Sequence, residues 1–309
     1  MASICAAIGL GSDGWSPALP VDWLLQRLND QQRLVVGDLR LPRALSAFAV
    51  GGLLALAGVL MQVLLRNPLA DPYILGTSGG AATAALSAIL LGAGVALVNL
   101  AAFAGACCAT ALVFGVGGIR SRFSPTALLL TGVVLGAGFG AVVSLLLAIS
   151  PDGSLRGMLF WLMGDFSLAL HPMPVWGVLT AATVAGIAGA RHLNVLAEDE
   201  KRARLLGLPV TVARVVVLLA ASLMTAFAVT VAGAIGFVGL VVPHLMRRFS
   251  GADHRWLVPF AALAGGSLLC VADALSRTVL APKQLPVGTL TAAIGVPLFL
   301  YLLREQHRR

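Results

Sequence analysis

The chain is 309 residues long, 59% apolar and only 11% charged, with a mean hydropathy of +0.94 and a net charge of +8. Soluble domains carry about 25% charged residues, so these values exclude a soluble globular protein and leave a polytopic membrane protein with one compact transmembrane domain. The positive balance does not imply nucleic acid, because no basic patch is interleaved with aromatic residues.

Residues 2–10 are mildly apolar but too short to cross a bilayer, which takes about 20 residues. They also lack the basic flank of a signal peptide. They read as the tail of a first helix that starts upstream, within an outer N-terminal segment 1–43. Spanning segments follow at 44–65, 73–97, 98–118, 124–149, 173–190, 209–231, 234–248, 257–279 and 285–303. The fold class is therefore all-α, a helical membrane bundle of nine spans over a transmembrane domain 44–304, with a tail at 305–309. The runs are rich in Ala and Gly, which let helix backbones approach closely. Residues 152–168 are amphipathic and short, the pattern of a half-helix lying at an interface.

Charge sets the orientation. With the loop after residue 118 inside, 14 basic residues are cytoplasmic: Arg66, Arg120, Arg122, Arg191, Lys201, Arg202, Arg204, Arg214, Arg247, Arg248, Arg255, Arg304, Arg308 and Arg309. Seven are outside: Arg27, Arg33, Arg40, Arg43, Arg156, Arg277 and Lys283. The excess of Lys and Arg belongs in the cytoplasm, so the C-terminus is inside.

The most informative stretch is 67–80, Asn-Pro-Leu-Ala-Asp-Pro-Tyr-Ile-Leu-Gly-Thr-Ser-Gly-Gly, between two long apolar runs. Pro68 and Pro72 lack a backbone donor, and Gly76, Gly79 and Gly80 loosen the chain. Irregular backbone at membrane depth is tolerated only against protein or a watery cavity, so the segment marks a pathway. Asn67 and Asp71 either cap helix ends or line that pathway, and Gln62 is open to the same two readings. Gly76-Thr-Ser-Gly-Gly80 also fits the G-x-S-x-G nucleophile pattern, with Ser78 as the nucleophile of an intramembrane hydrolase. That motif needs a strand–turn–helix context and a partner histidine; neither is evident.

Residues 194–208 hold the longest charged run. Glu198, Asp199 and Glu200 come early, Arg202 and Arg204 late, which suits a helix dipole, and Gly207 with Pro209 ends the helix. The stretch reads either as a solvated loop helix or, because Leu205, Leu206 and Leu208 have no evident core to enter, as a docking helix for a cytoplasmic partner. His244 reads as structural, since no metal-ligand cluster surrounds it. Cys5, Cys107, Cys108 and Cys270 form no CxxC pair and read as small buried hydrophobes. Asp273 and Arg277 sit at helical i,i+4 spacing. No Walker P-loop occurs, and intramembrane carboxylates are nearly absent, so there is no proton relay. Energy from a partner ATPase is favoured over the alternative, a secondary transporter.

These motifs in this order resemble the iron-chelate and vitamin B12 permease family of ABC importers. They are Arg40-Leu-Pro-Arg43; Gly58 with Gln62; Asn67-Pro-Leu-Ala-Asp-Pro72 with Leu75-Gly-Thr-Ser-Gly-Gly80; Leu193-Asn194; Ala203-Arg204-Leu-Leu-Gly207; Gly236-Phe-Val-Gly-Leu-Val-Val-Pro-His244; Asp273 with Arg277; and Leu285-Pro-Val-Gly288. The resemblance implies a transport subunit without its own enzymatic activity, in a bacterial inner membrane. The cargo would be ferric siderophore, haem or vitamin B12. Its partners would be a second copy or a paired homologous permease, two cytoplasmic ATPase subunits and a periplasmic substrate-binding protein. This chain would hold no cofactor and no metal; ATP and Mg would bind the ATPase. By the same resemblance Arg40, Arg43 and Arg277 meet the binding protein at the outer surface, and residues 198–208 couple to the ATPase. The family has ten helices, so the first would be absent from this sequence.

Overall fold

A computed structural model describes residues 2–11, 14–118, 125–169, 171–198 and 200–306. Arg120, Arg122, Asp199, Arg308 and Arg309 lie outside the described residues. The chain opens with α1 (Ala2–Gly9), a hairpin of β1 (Leu10–Gly11) and β2 (Gly14–Trp15), and α2 (Leu19–Leu24). Helix α3 (Asp30–Leu34) runs through a π-helical turn, Val35–Arg40, into α4 (Leu41–Leu65). A 3-10 turn, Pro72–Leu75, leads to α5 (Thr77–Leu90) and α6 (Val95–Val113). After these come α7 (Pro125–Ile149), α8 (Asp152–Met163), α9 (Met173–Ala188), α10 (Ala190–Ala197) and α11 (Glu200–Leu205). The last four are α12 (Val210–Ala232), α13 (Val238–Ser250), α14 (His254–Thr278) and α15 (Val287–Gln306).

The protein is an all-α membrane bundle, as the apolar runs imply. Among the described residues five helical stretches are long and apolar enough to cross a membrane, and a sixth arises if α9 and α10, bent by 66°, count as one. Three expected spans come out differently, the last of them 285–303, whose apolar helical part, Val287–Tyr301, is too short to count among the spans. The run 73–97 divides into the 3-10 turn and the 14-residue α5. The run 234–248 becomes α13, whose 13 residues reach about 20 Å, short of a hydrocarbon core of about 30 Å. Helix α8 occupies the stretch read as an interfacial half-helix.

Helix α4 is the centre. Its apolar stretch is buried over 94% of its length, and a helix apolar all round has to be enclosed. It packs against α9, α12, α13 and α14. The approach is too close for side chains: a Cβ on Gly58 would overlap the Gly239 carbonyl of α13, and one on Gly51 the Gly265 carbonyl of α14. The start of this helix was misread by the run of apolar residues alone. Asn29 and Gln32 form a capping box, Gln32 N donating to Asn29 Oδ1 at 2.8 Å and Asn29 N to Gln32 Oε1 at 3.3 Å. This starts the helical path at Asp30. Near the N-terminal end of α4, Trp176 Nε1 donates to the Leu45 carbonyl at 3.0 Å, and its ring stacks on Phe48 at 5.4 Å.

The cysteines depart from expectation. Cys270 is buried, but Cys5, Cys107 and Cys108 are exposed; Cys107 and Cys108 sit on α6, whose apolar stretch is only 33% buried. Outward positions on a span tolerate any apolar side chain, so composition alone does not distinguish them from core.

Leu placed at Gly58 must displace α13 backbone, and overpacking of this kind costs about 1–3 kcal/mol or more. Gly58→Leu is expected to lower the thermal midpoint of the detergent-solubilised protein by several degrees or abolish folded yield, whereas Gly138→Ala on open α7 surface leaves the midpoint unchanged or raised.

Candidate functional site

The polar residues concentrate in three places along the bundle. At the end where α4 begins and α14 finishes, Asp273 has no exposed surface and Arg43 is only 7% exposed. A lone buried carboxylate would be strongly disfavoured; here it is bracketed by cations. Arg43 Nη2 donates to Asp273 Oδ1 at 2.9 Å, and Arg43 Nε lies 3.0 and 3.1 Å from the two carboxylate oxygens. Arg277 Nε sits 3.3 Å from Asp273 Oδ2, one helical turn away. Asp165 Oδ1 is 3.7 Å from Arg43 Nη2, and Arg43 Nη1 reaches Ser167 Oγ and Gln284 Oε1, each at 3.4 Å.

The same cluster ties down α1. Arg277 Nη2 donates to the Ala7 carbonyl at 3.2 Å and Arg40 Nη1 to the Ile8 carbonyl at 3.0 Å. These are last-turn carbonyls, which lack helical partners and carry the negative end of the dipole. The expected surface placement of Arg43 is thereby corrected: its guanidinium is enclosed and bound to Asp273. Arg277 is engaged in the same way, with its side chain 12% exposed. Arg40 is half-buried, whereas Arg27, Arg33, Arg156 and Lys283 are exposed. The i,i+4 pairing of Asp273 with Arg277 is present as the spacing implied.

The middle of the bundle contains the broken backbone. Arg66 ends α4 in the left-handed conformation (φ 48°), and Gly76 turns the chain with φ 71°. Asn67 Oδ1 accepts from Leu69 N at 2.9 Å, and Asp71 Oδ1 from Tyr73 N at 2.7 Å. Asp71 thereby caps the 3-10 turn, whereas the Asn67 bond closes a turn in the connection after α4. Gln62 is buried and donates through Nε2 to the Leu240 carbonyl at 3.2 Å. Its Oε1 has no partner among the described residues.

Pro68 is exposed, whereas Pro72 is buried against Gly239. Facing this segment, residues 233–237 form a second break, with Gly233 at φ 69° and Phe237 at φ 70°. One bond joins the breaks: Ile235 N donates to Tyr73 Oη at 3.1 Å. Ser78 and Gly79 lie in the first turn of α5, and a Cβ on Gly79 would press on Phe139 of α7. Ser78 follows a 3-10 turn and not a strand, so the nucleophile-elbow geometry is missing. Among the described residues no cluster of three or more His, Cys, Asp or Glu side chains is placed to hold a metal.

The third place is the charged stretch. Helix α11 is held by Glu200, which accepts from Arg204 at 2.6 Å and from Arg214 of α12 at 2.8 Å. Hydrogen bonds from Arg204 and Arg214 hold its carboxyl below the usual glutamate range. Glu198 pairs with Arg202 at 3.3 Å on the surface. Leu205 and Leu206 are 86% and 70% exposed, directly before Gly207 at φ 79°. Leu208 is different: it is half-buried and packs on the core beneath. Arg214 was missed as a member of this site, because it lies 14 residues from Glu200 and reads as an ordinary charge at the start of a span. Asn194 adds a brace, donating to Asp253 Oδ1 at 2.8 Å and accepting from His254 N at 2.9 Å.

Comparison with known proteins identifies the architecture. The sequence profile of the FecCD transport family matches residues 1–305. The chain is 39% identical over 303 residues to the vitamin B12 import system permease protein BtuC of Escherichia coli, covering 94% of this chain and 88% of that one. It is 42% identical over 287 residues to the cobalamin import system permease protein BtuC of Halobacterium salinarum, covering 90% and 75%. It is 39% identical over 282 residues to the uncharacterized ABC transporter permease protein YvrB of Bacillus subtilis, covering 89% and 80%. Among solved structures, an inward-facing conformation of a metal-chelate type ABC transporter aligns with a TM-score of 0.87 at 32% identity over 98% of this chain and 96% of that one.

Removing one member of a buried ion pair strands the other, at about 3–5 kcal/mol. Asp273→Ala, which strands two guanidiniums, is expected to destabilise the purified protein more than Arg43→Met; equal midpoints for both variants and wild type would remove the cluster from the structure's supports. The Glu200 carboxyl has a lowered folded-state value, so its contribution is complete above the ordinary glutamate value of 4.5 and is lost as pH falls through the lowered one. A spin label at Leu206→Cys should keep constant mobility from neutral pH down to about 5 and loosen only below it; loosening already near neutrality would rule Glu200 out as the anchor.

Proposed function

The chain belongs to the FecCD transport family, and from that premise we propose that it carries vitamin B12 or a closely related corrinoid across the inner membrane. It is the permease subunit of an ABC importer for metal chelates. The observation that carries the corrinoid reading is identity of 39–42% along nearly the whole chain to permeases named for B12 and cobalamin import. Ferric siderophore and haem are the competing cargoes.

In this reading two permease subunits pair around the path. Two cytoplasmic ATPase subunits supply energy, binding ATP and Mg, and a periplasmic binding protein delivers the cargo. The permease performs no chemistry on it. The C-terminus and residues 198–208 face the cytoplasm, where the outward Leu205 and Leu206 enter the ATPase and transmit its movement. The paired breaks around 66–79 and 233–237 border the path, with Gln62, Ser78 and Gly79 beside it. On the outer face Arg40 contacts the binding protein, while Arg43 and Arg277 act through the buried cluster that holds α1, α4 and α14 in place. Charge on such a face mainly steers and orients a partner.

Cells lacking their own corrinoid importer, given this chain with its ATPase and binding protein, should accumulate radiolabelled cyanocobalamin; accumulation of a ferric siderophore instead would reassign the cargo. Leu205→Asp with Leu206→Asp should uncouple ATP hydrolysis from transport and lower uptake by about tenfold or more, equivalent to about 1.4 kcal/mol of lost coupling. Normal uptake would take residues 198–208 out of the coupling step. Ser78→Ala should leave uptake in place, because the serine is not a nucleophile.

A further inference from the structure

A large apolar cavity lies beside α4 and ends at the stems of the charged segment. It is a groove of about 610 Å³ between α9–α10 and α12, with α4 as its floor. Leu56 and Leu60 form the floor, and Ala182, Ala185, Ala213 and Val216 form the walls. His192 is the one polar residue among its lining side chains. Small residues on both walls keep the groove open, and the 66° bend between α9 and α10 splays one wall away from α12.

Three features say what fills it. The outward flank is apolar: Val212 of the lining is 59% exposed, and beside the groove Val184 of α9 and Leu219 of α12 are 62% and 50% exposed. Its length fits one leaflet: from Val212 to Met224 along α12 is about 18 Å, against about 15 Å for half of the hydrocarbon core. Its inner mouth is cationic and polar, with Arg191 and His192 both exposed beside it, where a phosphate at the headgroup level would lie.

We propose that one acyl chain of an anionic bilayer phospholipid occupies this groove, with its phosphate at Arg191 and His192. The lower walls are the two stems of the charged segment: Leu193 and Leu196 before it, Leu208 and Pro209 after it. The lipid chain therefore wedges that segment against α4 and stiffens it. This part of the inference rests on the permease reading; occupancy by lipid rests only on the groove.

The test is photolabelling of the full chain with its ATPase partner in nanodiscs. The probe is phosphatidylglycerol with a diazirine near the end of one acyl chain. Adducts are expected on Leu56, Leu60 and Ala185, as well as on the outward faces of α6 and α7. Ala182→Phe with Ala213→Phe fills the groove and should reduce groove adducts at least about fivefold, with adducts on Val133 and Val134 of α7 unchanged as an internal control, a ratio of about 1 kcal/mol in occupancy. Adducts confined to outward faces, or unaltered by filling, overturn the proposal.

If the filled variant does not fold, competition on the wild type decides. Unlabelled phosphatidylglycerol should suppress groove labelling more than phosphatidylcholine does, and Arg191→Ala with His192→Ala should abolish that difference; equal suppression in the wild type overturns the anionic assignment. Efficient cross-linking between two copies through Val212→Cys, in a chain freed of its native cysteines, would place a second subunit on the groove and overturn it as well. Labelling is read without uptake, so a failed transport assay leaves this result interpretable.

Discussion

Helix α4 is enclosed over nearly all of its apolar length, and the arrangement of its neighbours follows from that. A span so enclosed must be met at close range by several helices, and glycine at Gly51 and Gly58 on α4, answered by Gly265 and Gly239, supplies that range. In a bilayer there is little hydrophobic drive between helices, so the attraction comes from packing of this kind and from buried polar contacts. The short and broken elements, α13 and the turn at Pro72–Leu75, are tolerated because they lie against α4 and are shielded from lipid.

The Asp273 cluster follows from the same geometry. Enclosing α4 carries Arg43, in its first turns, into the interior, where a guanidinium is tolerable only against a carboxylate. Asp273 supplies it, and Arg277, Asp165 and Gln284 balance the remainder. The arginines of the Arg-Leu-Pro-Arg motif thus divide their work. Arg43 holds the helix ends, and Arg40 holds the last turn of α1 while staying partly open to the outside. Of the three arginines read from sequence as a contact surface, Arg43 and Arg277 are enclosed against Asp273.

The class of fold was legible because composition and long apolar runs report directly on the solvent. The short helix α8 and the charged segment before Gly207 were legible for a related reason: each breaks the apolar pattern locally. Inaccessible to that reasoning were facts that depend on partners far apart in the chain. Arg43 with Asp273 spans 230 residues and Glu200 with Arg214 spans 14; nothing in residue type distinguishes a buried arginine from an interfacial one. The same blindness applied to Cys107 and Cys108, since a lipid-facing and a protein-facing apolar residue read alike. Leu208 looked unpartnered beside Leu205 and Leu206, but one residue after Gly207 the chain has already turned back to the core.

The contact between the two broken segments has a mechanical meaning. Helices resist bending because every residue in them is tied to its neighbours. Around Pro72–Leu75 and residues 233–237 that ladder is interrupted on both sides of one contact, and the tie across it is the Tyr73 hydroxyl to Ile235 N. A bond of that kind contributes about 0.5–1.5 kcal/mol net, far less than unwinding a turn of α4 or separating Gly58 from Gly239. That bond and the packing of Pro72 on Gly239 hold the two breaks together, so this is where the backbone has the fewest ladder bonds to lose when the bundle bends.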